Sequence, residues 1–164
     1  MKRYLAVLLA VVLLLTAACG GASVEPGTPP TIVYGEDVCD HCGMIINDER
    51  FAAGAVVQMD GDRYEHRRFD DIGDMFAFAQ ELEENSAERV VTLFVHDYES
   101  LEWIEADQAH FVKAASLRTP MGSGLVAFGN GEVAKEQAAV WQGEVLNFDE
   151  ARQQGQMDHS HAQH

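Results

Sequence analysis

Met59-Asp60-Gly61-Asp62 separates two runs with strand character, 51–58 and 63–69. Asp-Gly tolerates the positive φ angles of a tight hairpin turn, so the two runs are expected to fold back on each other. Directly after them, Phe69, Ile72, Met75, Phe76, Ala79 and Leu82 recur at helical spacing. Asp70 or Asp71 is placed to cap that helix, acids fall on its outer face, and it should end near Glu84-Asn85. Residues 89–95 (Arg-Val-Val-Thr-Leu-Phe-Val) are β-branched and aromatic and read as a third strand. The unit is therefore ββαβ.

The pattern recurs further on. Residues 110–115 and 124–128 have strand character, 131–141 carries Val133, Ala134, Ala138 and Trp141 at helical spacing, and 145–148 is a further strand. The expected fold is α+β, two small ββαβ lobes packed together over about 31–107 and 108–152. Between them, 97–107 holds Tyr98, Leu101, Trp103 and Ile104 and reads as a crossing helix or strand. A short helix is expected from Asp149. The polar segment 153–164, with Met157, His159, His161 and His164, reads as a disordered Met/His tail that collects borderline metal ions weakly.

The N-terminus bears on where the chain works. Lys2-Arg3 precedes an apolar run from Leu5 to Ala18, shorter than the ~20 residues of a membrane-spanning helix. A charged start, an apolar middle and small residues before a cysteine describe an export signal over 1–18. Leu15-Thr16-Ala17-Ala18-Cys19 resembles a lipoprotein cleavage box, which makes Cys19 the acylated first residue of the mature protein. Residues 19–30, rich in Gly, Pro, Ser and Thr, then read as a flexible tether between lipid and folded part. The expected location is outside the cytoplasm, lipid-anchored on the periplasmic side of a membrane. With a net charge of −16 the chain repels nucleic acid and anionic lipid, so neither is an expected ligand.

Two stretches carry chemistry. Cys39-Asp40-His41-Cys42-Gly43-Met44 gathers two thiols, an imidazole and a thioether, donors that select Cu(I) or Zn(II) over Mg(II) or Ca(II). Outside the cytoplasm a C-x-x-C pair forms a disulfide, ligates a metal, or acts as a redox couple. A redox site wants the motif at a strand-to-helix junction, and here Gly43 and Met44-Ile45-Ile46 lead toward a hairpin instead. Metal binding gains from Met44, whose thioether suits Cu(I) better than zinc or iron, and from Gly43, which lets the backbone fold tightly. The second stretch is Thr119-Pro120-Met121-Gly122-Ser123-Gly124. Met121 on a proline- and glycine-bounded loop is a poor core filler and reads as a second thioether donor. His96, at the end of a strand, is a candidate third ligand, although a histidine so placed is more often a satisfied one.

These motifs carry a resemblance. Cys-Asp-His-Cys-Gly-Met-Ile-Ile, the hairpin that follows, and Thr-Pro-Met-Gly-Ser-Gly-Leu-Val-Ala-Phe are similar to NosL, a family of lipid-anchored copper chaperones associated with assembly of the tetranuclear copper site of nitrous oxide reductase. The resemblance spans about 19–151. It implies a non-enzymatic protein in which Cu(I) is held by the cysteine of Cys-Gly-Met and the methionine of Pro-Met-Gly, here Cys42 and Met121. It also implies two ββαβ lobes, similar to part of organomercurial lyase, and nitrous oxide reductase or its maturation proteins as partners. Cys39 is not universal in that family and ranks below Cys42; a Cys39–Cys42 disulfide would need reduction before copper loads. The competing readings are a thiol–disulfide oxidoreductase using the same pair, and an organomercurial-lyase-like enzyme, which would need a third thiol or carboxylate beside the two cysteines.

Overall fold

Alternation and capping produce the elements in order. In the computed structural model, which describes residues 24–162, β1 (Ala53–Gln58) and β2 (Tyr64–Phe69) form the Asp-Gly hairpin, with Ala53 opposite Phe69 and Gln58 opposite Tyr64. Asp71 caps α1 (Ile72–Asn85), and β3 (Arg89–His96) returns antiparallel to β1. Residues 97–107 supply β4 (Trp103–Glu105), which pairs with the end of β3, followed by a 3-10 turn at Ala106–Gln108. The first sheet has the order β2-β1-β3-β4. β1 is buried nearly along its whole length, as an interior strand covered on both faces should be.

The second lobe repeats the plan. β5 (His110–Lys113), β6 (Leu125–Phe128), α2 (Gly131–Trp141) and β7 (Glu144–Leu146) give a sheet ordered β6-β5-β7 with antiparallel pairs. Asn130 caps α2 by accepting from the backbone of Glu132 and Val133. The two lobes share a core: Phe69, Ile72, Met75 and Phe76 of the first pack in one cluster with Phe111, Leu125, Ala127 and Leu146 of the second. Phe76 meets Phe111 with ring centroids 5.8 Å apart.

Three segments depart from expectation. α3 runs over Phe148–Ala162, so the region from Gln153, expected to be a disordered tail, is helical to Ala162. Its first turns dock on α1, where Arg152 pairs with Glu83 at 2.6 Å and Gly155 lies against Phe76 and Gly73. That docking supplies the packing that an isolated polar helix lacks. The end of the expected tether is also fixed: the Thr28 carbonyl accepts from His66 at 2.8 Å, that of Thr31 accepts from Arg68 at 2.8 Å, and Pro30 is buried against Gly54. Finally, the outer face of α1 is not wholly solvated, because Asp74 is buried. The leader 1–18 and the lipidation residue Cys19 lie outside the described residues. No helix among the described residues is long and apolar enough to cross a membrane.

Candidate metal centre

The cysteine motif is a tight loop. Val38 and Ile45 form an antiparallel bridge, Cys39 N–H donates to the Met44 carbonyl at 2.8 Å, and Gly43 N–H donates to the Cys39 carbonyl at 3.1 Å. Gly43 turns the chain at φ +77°, a conformation that disfavours any side chain. The loop is tied to the end of β2 by Asp40 N–H to the Arg68 carbonyl, 2.8 Å, and Arg68 N–H to Asp40 Oδ2, 2.6 Å. Since α1 begins four residues after Arg68, this pairing lays both cysteines over its N-terminal turn. The Cys39 thiol donates to Asp74 Oδ2 at 2.9 Å, and the Cys42 thiol donates to Asp70 Oδ1 at 3.4 Å. One ligand atom from each of Cys39, Cys42, Asp70 and Asp74 lies within 4.8 Å of the other three.

The second motif is anchored one residue away. Asp71 accepts from Gly73 N–H at 2.7 Å as helix cap, and also from the Thr119 hydroxyl at 2.6 Å and Met121 N–H at 3.0 Å. Thr119 and Ser123 are hydrogen-bonded across the loop at 3.3 Å. Gly73 permits this approach, because a side chain there would collide with Cβ of Ser123. Met121 is left 38% exposed and Met44 45% exposed. Both motifs therefore converge on the Asp70-Asp71 step at the start of α1.

His96 is not part of this convergence. Its Nδ1 is 2.8 Å from the Leu101 carbonyl, its Nε2 is 3.0 Å from the Tyr34 hydroxyl, and its ring stacks 3.7 Å from that of Trp103. Nδ1–H donating to the carbonyl and Nε2 accepting from tyrosine satisfies a neutral imidazole completely, and burial lowers its pKa in keeping with that. No lone pair remains for a metal. The imidazole near the thiols is His41, whose Nδ1 is 2.7 Å from Asp74 Oδ1 and whose Nε2 is 3.3 Å from Glu81. The bond to Asp74 is the main reason its pKa is raised.

Burial dominates the electrostatics of the cluster. It pushes the Cys42 thiol up to about 11, with the Asp74 and Asp70 carboxylates adding to the rise. Cys39 is held further above the thiol range, by burial first and then by its bond to Asp74. Burial likewise raises Asp70, which Asp74 and Asp71 crowd with like charge. Asp70 is 2% exposed, and its Oδ2 is buried without a hydrogen-bond partner. Thiol protons thus occupy the positions a cation would take, beside an Asp70 carboxylate with one oxygen unpartnered. Asp70 and Asp74 are the site residues that sequence reasoning missed. Their signal was the density of acids in Asp70-Asp71-Ile72-Gly73-Asp74, read as a cap and a solvated face.

Comparison with known proteins gives three findings. The family model described as NosL matches residues 30–155. The copper-binding lipoprotein NosL of Stutzerimonas stutzeri is 31% identical over 158 residues, which is 91% of this chain and 78% of that protein. The crystal structure of the copper chaperone NosL from Shewanella denitrificans superposes with a TM-score of 0.64 at 24% identity, covering 77% of this chain and 96% of that one, and so shares the fold.

Proposed function

Because this chain belongs to the NosL family, we propose that it is a lipid-anchored, extracytoplasmic Cu(I) metallochaperone that delivers copper to the copper centre of nitrous oxide reductase or to the proteins maturing it. Copper is cargo here, not a catalytic cofactor, and the protein is not an enzyme. The observation that carries the reading is the attachment of the cysteine loop and the methionine loop to adjacent carboxylates, Cys42 to Asp70 and Met121 to Asp71. Cys42 supplies the thiolate and Met121 a thioether, with the exposed Met44 thioether as a further donor. A few soft ligands near the surface let an incoming thiolate or imidazole add before the first ligand leaves, which a carrier needs. Loading releases the thiol proton of Cys42, for which Asp70 Oδ1 is the adjacent acceptor. Cys39 acts on loading instead: oxidised to a disulfide with Cys42, it would block the site until reduced.

The oxidoreductase reading loses support on two grounds. A redox thiol needs a depressed pKa, whereas both thiols here are raised, Cys42 to about 11. In sequence the motif also closes on the Val38–Ile45 bridge, and no helix starts from it. The test is a competition titration of the reduced protein with a Cu(I) chelator. One tightly held Cu(I) per monomer is expected, with the affinity lost in Cys42→Ser; equal binding by the two proteins would sink the site. Incubation of the copper-loaded protein with metal-free nitrous oxide reductase and its maturation proteins tests delivery, and no gain of copper by the enzyme refutes that part alone.

A further inference from the structure

The deeper half of the cluster has a chemistry that Cu(I) ligation by two sulfurs leaves unused. Asp70 and Asp74 are buried carboxylates, Cys39 is 2% exposed, and Asp70 Oδ2 has no partner. Burying such a group without a partner is costly, and a bound ion is one of the few things that removes the cost. The spacing suits a tetrahedral centre. With metal–sulfur bonds near 2.3 Å and metal–oxygen bonds near 2.0 Å, sulfur and oxygen ligands lie about 3.5 Å apart. The two sulfur–oxygen contacts here are 2.9 Å and 3.4 Å, and all four donors fall within 4.8 Å.

We infer that Cys39, Cys42, Asp70 and Asp74 form a closed S2O2 site for a divalent borderline cation of the Zn(II) type, sharing Cys42 with the copper ligands. Carboxylate oxygen is a hard donor that suits Zn(II) and not Cu(I), and four anionic ligands are better neutralised by a divalent ion. The carboxylate of Asp74 is already oriented from behind: His41 Nδ1 holds its Oδ1 at 2.7 Å, leaving Oδ2 toward Cys39. Ligating carboxylates are ordinarily fixed in this way by an outer hydrogen bond. Binding breaks two S–H bonds and forms two S–Zn bonds, releasing two protons with no change of oxidation state. With four protein ligands the site has no open position, so it holds the ion without activating water. Cys42 cannot serve both ions at once, so zinc occupancy and copper occupancy exclude each other.

Titration of the reduced full chain with Zn(II), in a background carrying His159→Ala, His161→Ala and His164→Ala to silence the tail, measures the site. Co(II) in the same protein reports its geometry. The expected result is one Co(II) with thiolate-to-metal charge-transfer absorption and the intense visible bands of a tetrahedral centre. Cys39→Ser, which keeps a hydroxyl to donate to Asp74, should weaken Zn(II) at least ~10-fold and lose about half of the charge-transfer intensity. Asp70→Asn should weaken Zn(II) at least ~10-fold with that intensity kept. Melting of the metal-free variants checks that they fold, and the unmutated Co(II) spectrum decides the matter if one does not. A Co(II) spectrum without thiolate charge transfer, or wild-type Zn(II) affinity in both variants, overturns the site. Adding Cu(I) to the zinc-loaded protein should release the zinc. This last step alone rests on the copper reading, and simultaneous binding of both ions would overturn the shared ligand while leaving the S2O2 site standing.

Discussion

At Met121 the backbone and the side chain have separable roles. Its N–H is fixed to Asp71, whereas the residue is 38% exposed and its side chain is outside the buried core. Met121→Ile keeps size and apolarity, so the metal-free protein should lose less than about 1.5 kcal/mol of stability. Cu(I) affinity should fall at least ~10-fold, about 1.4 kcal/mol, because only the sulfur donor has gone. Chelator competition and thermal melting on one preparation check both halves; unchanged affinity would remove Met121 from the copper site. His96 belongs to a different argument. Its folded pKa lies below the unfolded value, so its contribution is present above about pH 6.5. That contribution is lost as pH falls through 6.5 toward the folded value, because the unfolded chain then takes up a proton that the buried ring refuses. The melting gap between wild type and His96→Gln should therefore shrink between about pH 7.5 and about pH 5. A constant gap would mean that the ring does not titrate differently on folding.

The start of α1 joins two otherwise distant stretches, the cysteine loop and the 119–124 loop. Asp70 faces Cys42, Asp71 caps the helix and holds the 119–124 loop, and Asp74 holds Cys39 and His41. Asp71→Ala removes a cap and two bonds to a buried carboxylate, so unfolding in urea should show a loss of about 2–4 kcal/mol. Cu(I) affinity should fall with it, since Met121 loses its tether, and Asp71→Asn, which retains a capping oxygen, should lose less of both. Equal copper binding by Asp71→Ala and wild type would show that the loop finds its place without the anchor. The hairpin turn, the cap and the strands are local signals, and so they could be read from Asp60-Gly61, Asp71 and the β-branched run at 89–95. The cysteine and methionine loops were also visible, as breaks in any regular pattern. Asp70 and Asp74 were not, because acids at a helix start are favoured by the dipole wherever they point. Asp74 is covered by Cys39 and His41, more than 30 residues earlier, in a loop that the Asp40–Arg68 pairing ties to the end of β2. The helix start near Asp149 was legible, but the end of the tether and the continuation of α3 beyond Gln153 escaped for the same reason, being ordered by docking and not by their own composition.

The copper ligands proposed here come from different lobes, Cys42 from the first and Met121 from the loop between β5 and β6 of the second. Cargo is then held only when both lobes are folded, and the way they are joined says that they fold together. Phe111 of β5 packs on Phe76 of α1, Tyr98 N–H donates to the Ala127 carbonyl at 2.8 Å, and Gly129 N–H donates to Asp97 Oδ2 at 2.7 Å. The second lobe has a smaller cluster around Val112, Val126, Phe128, Ala134 and Ala138, but Phe51 from before β1 and Tyr98 from after β3 pack in it, so neither cluster is confined to one lobe, which favours one cooperative transition. The two tryptophans allow a test, because Trp103 lies in β4 of the first sheet and Trp141 at the end of α2 in the second lobe. Trp103→Phe and Trp141→Phe each leave one reporter, and in urea the two should give the same midpoint. Phe111→Ala, added to each, empties a buried site in the second lobe at a cost of about 3–5 kcal/mol. Coupled lobes require both reporters to shift by the same amount, with Cu(I) retention lost over the same range of urea. If the first-lobe reporter held its midpoint while the second moved, the lobes would be independent units, and copper would be lost with the unfolding of the second lobe alone.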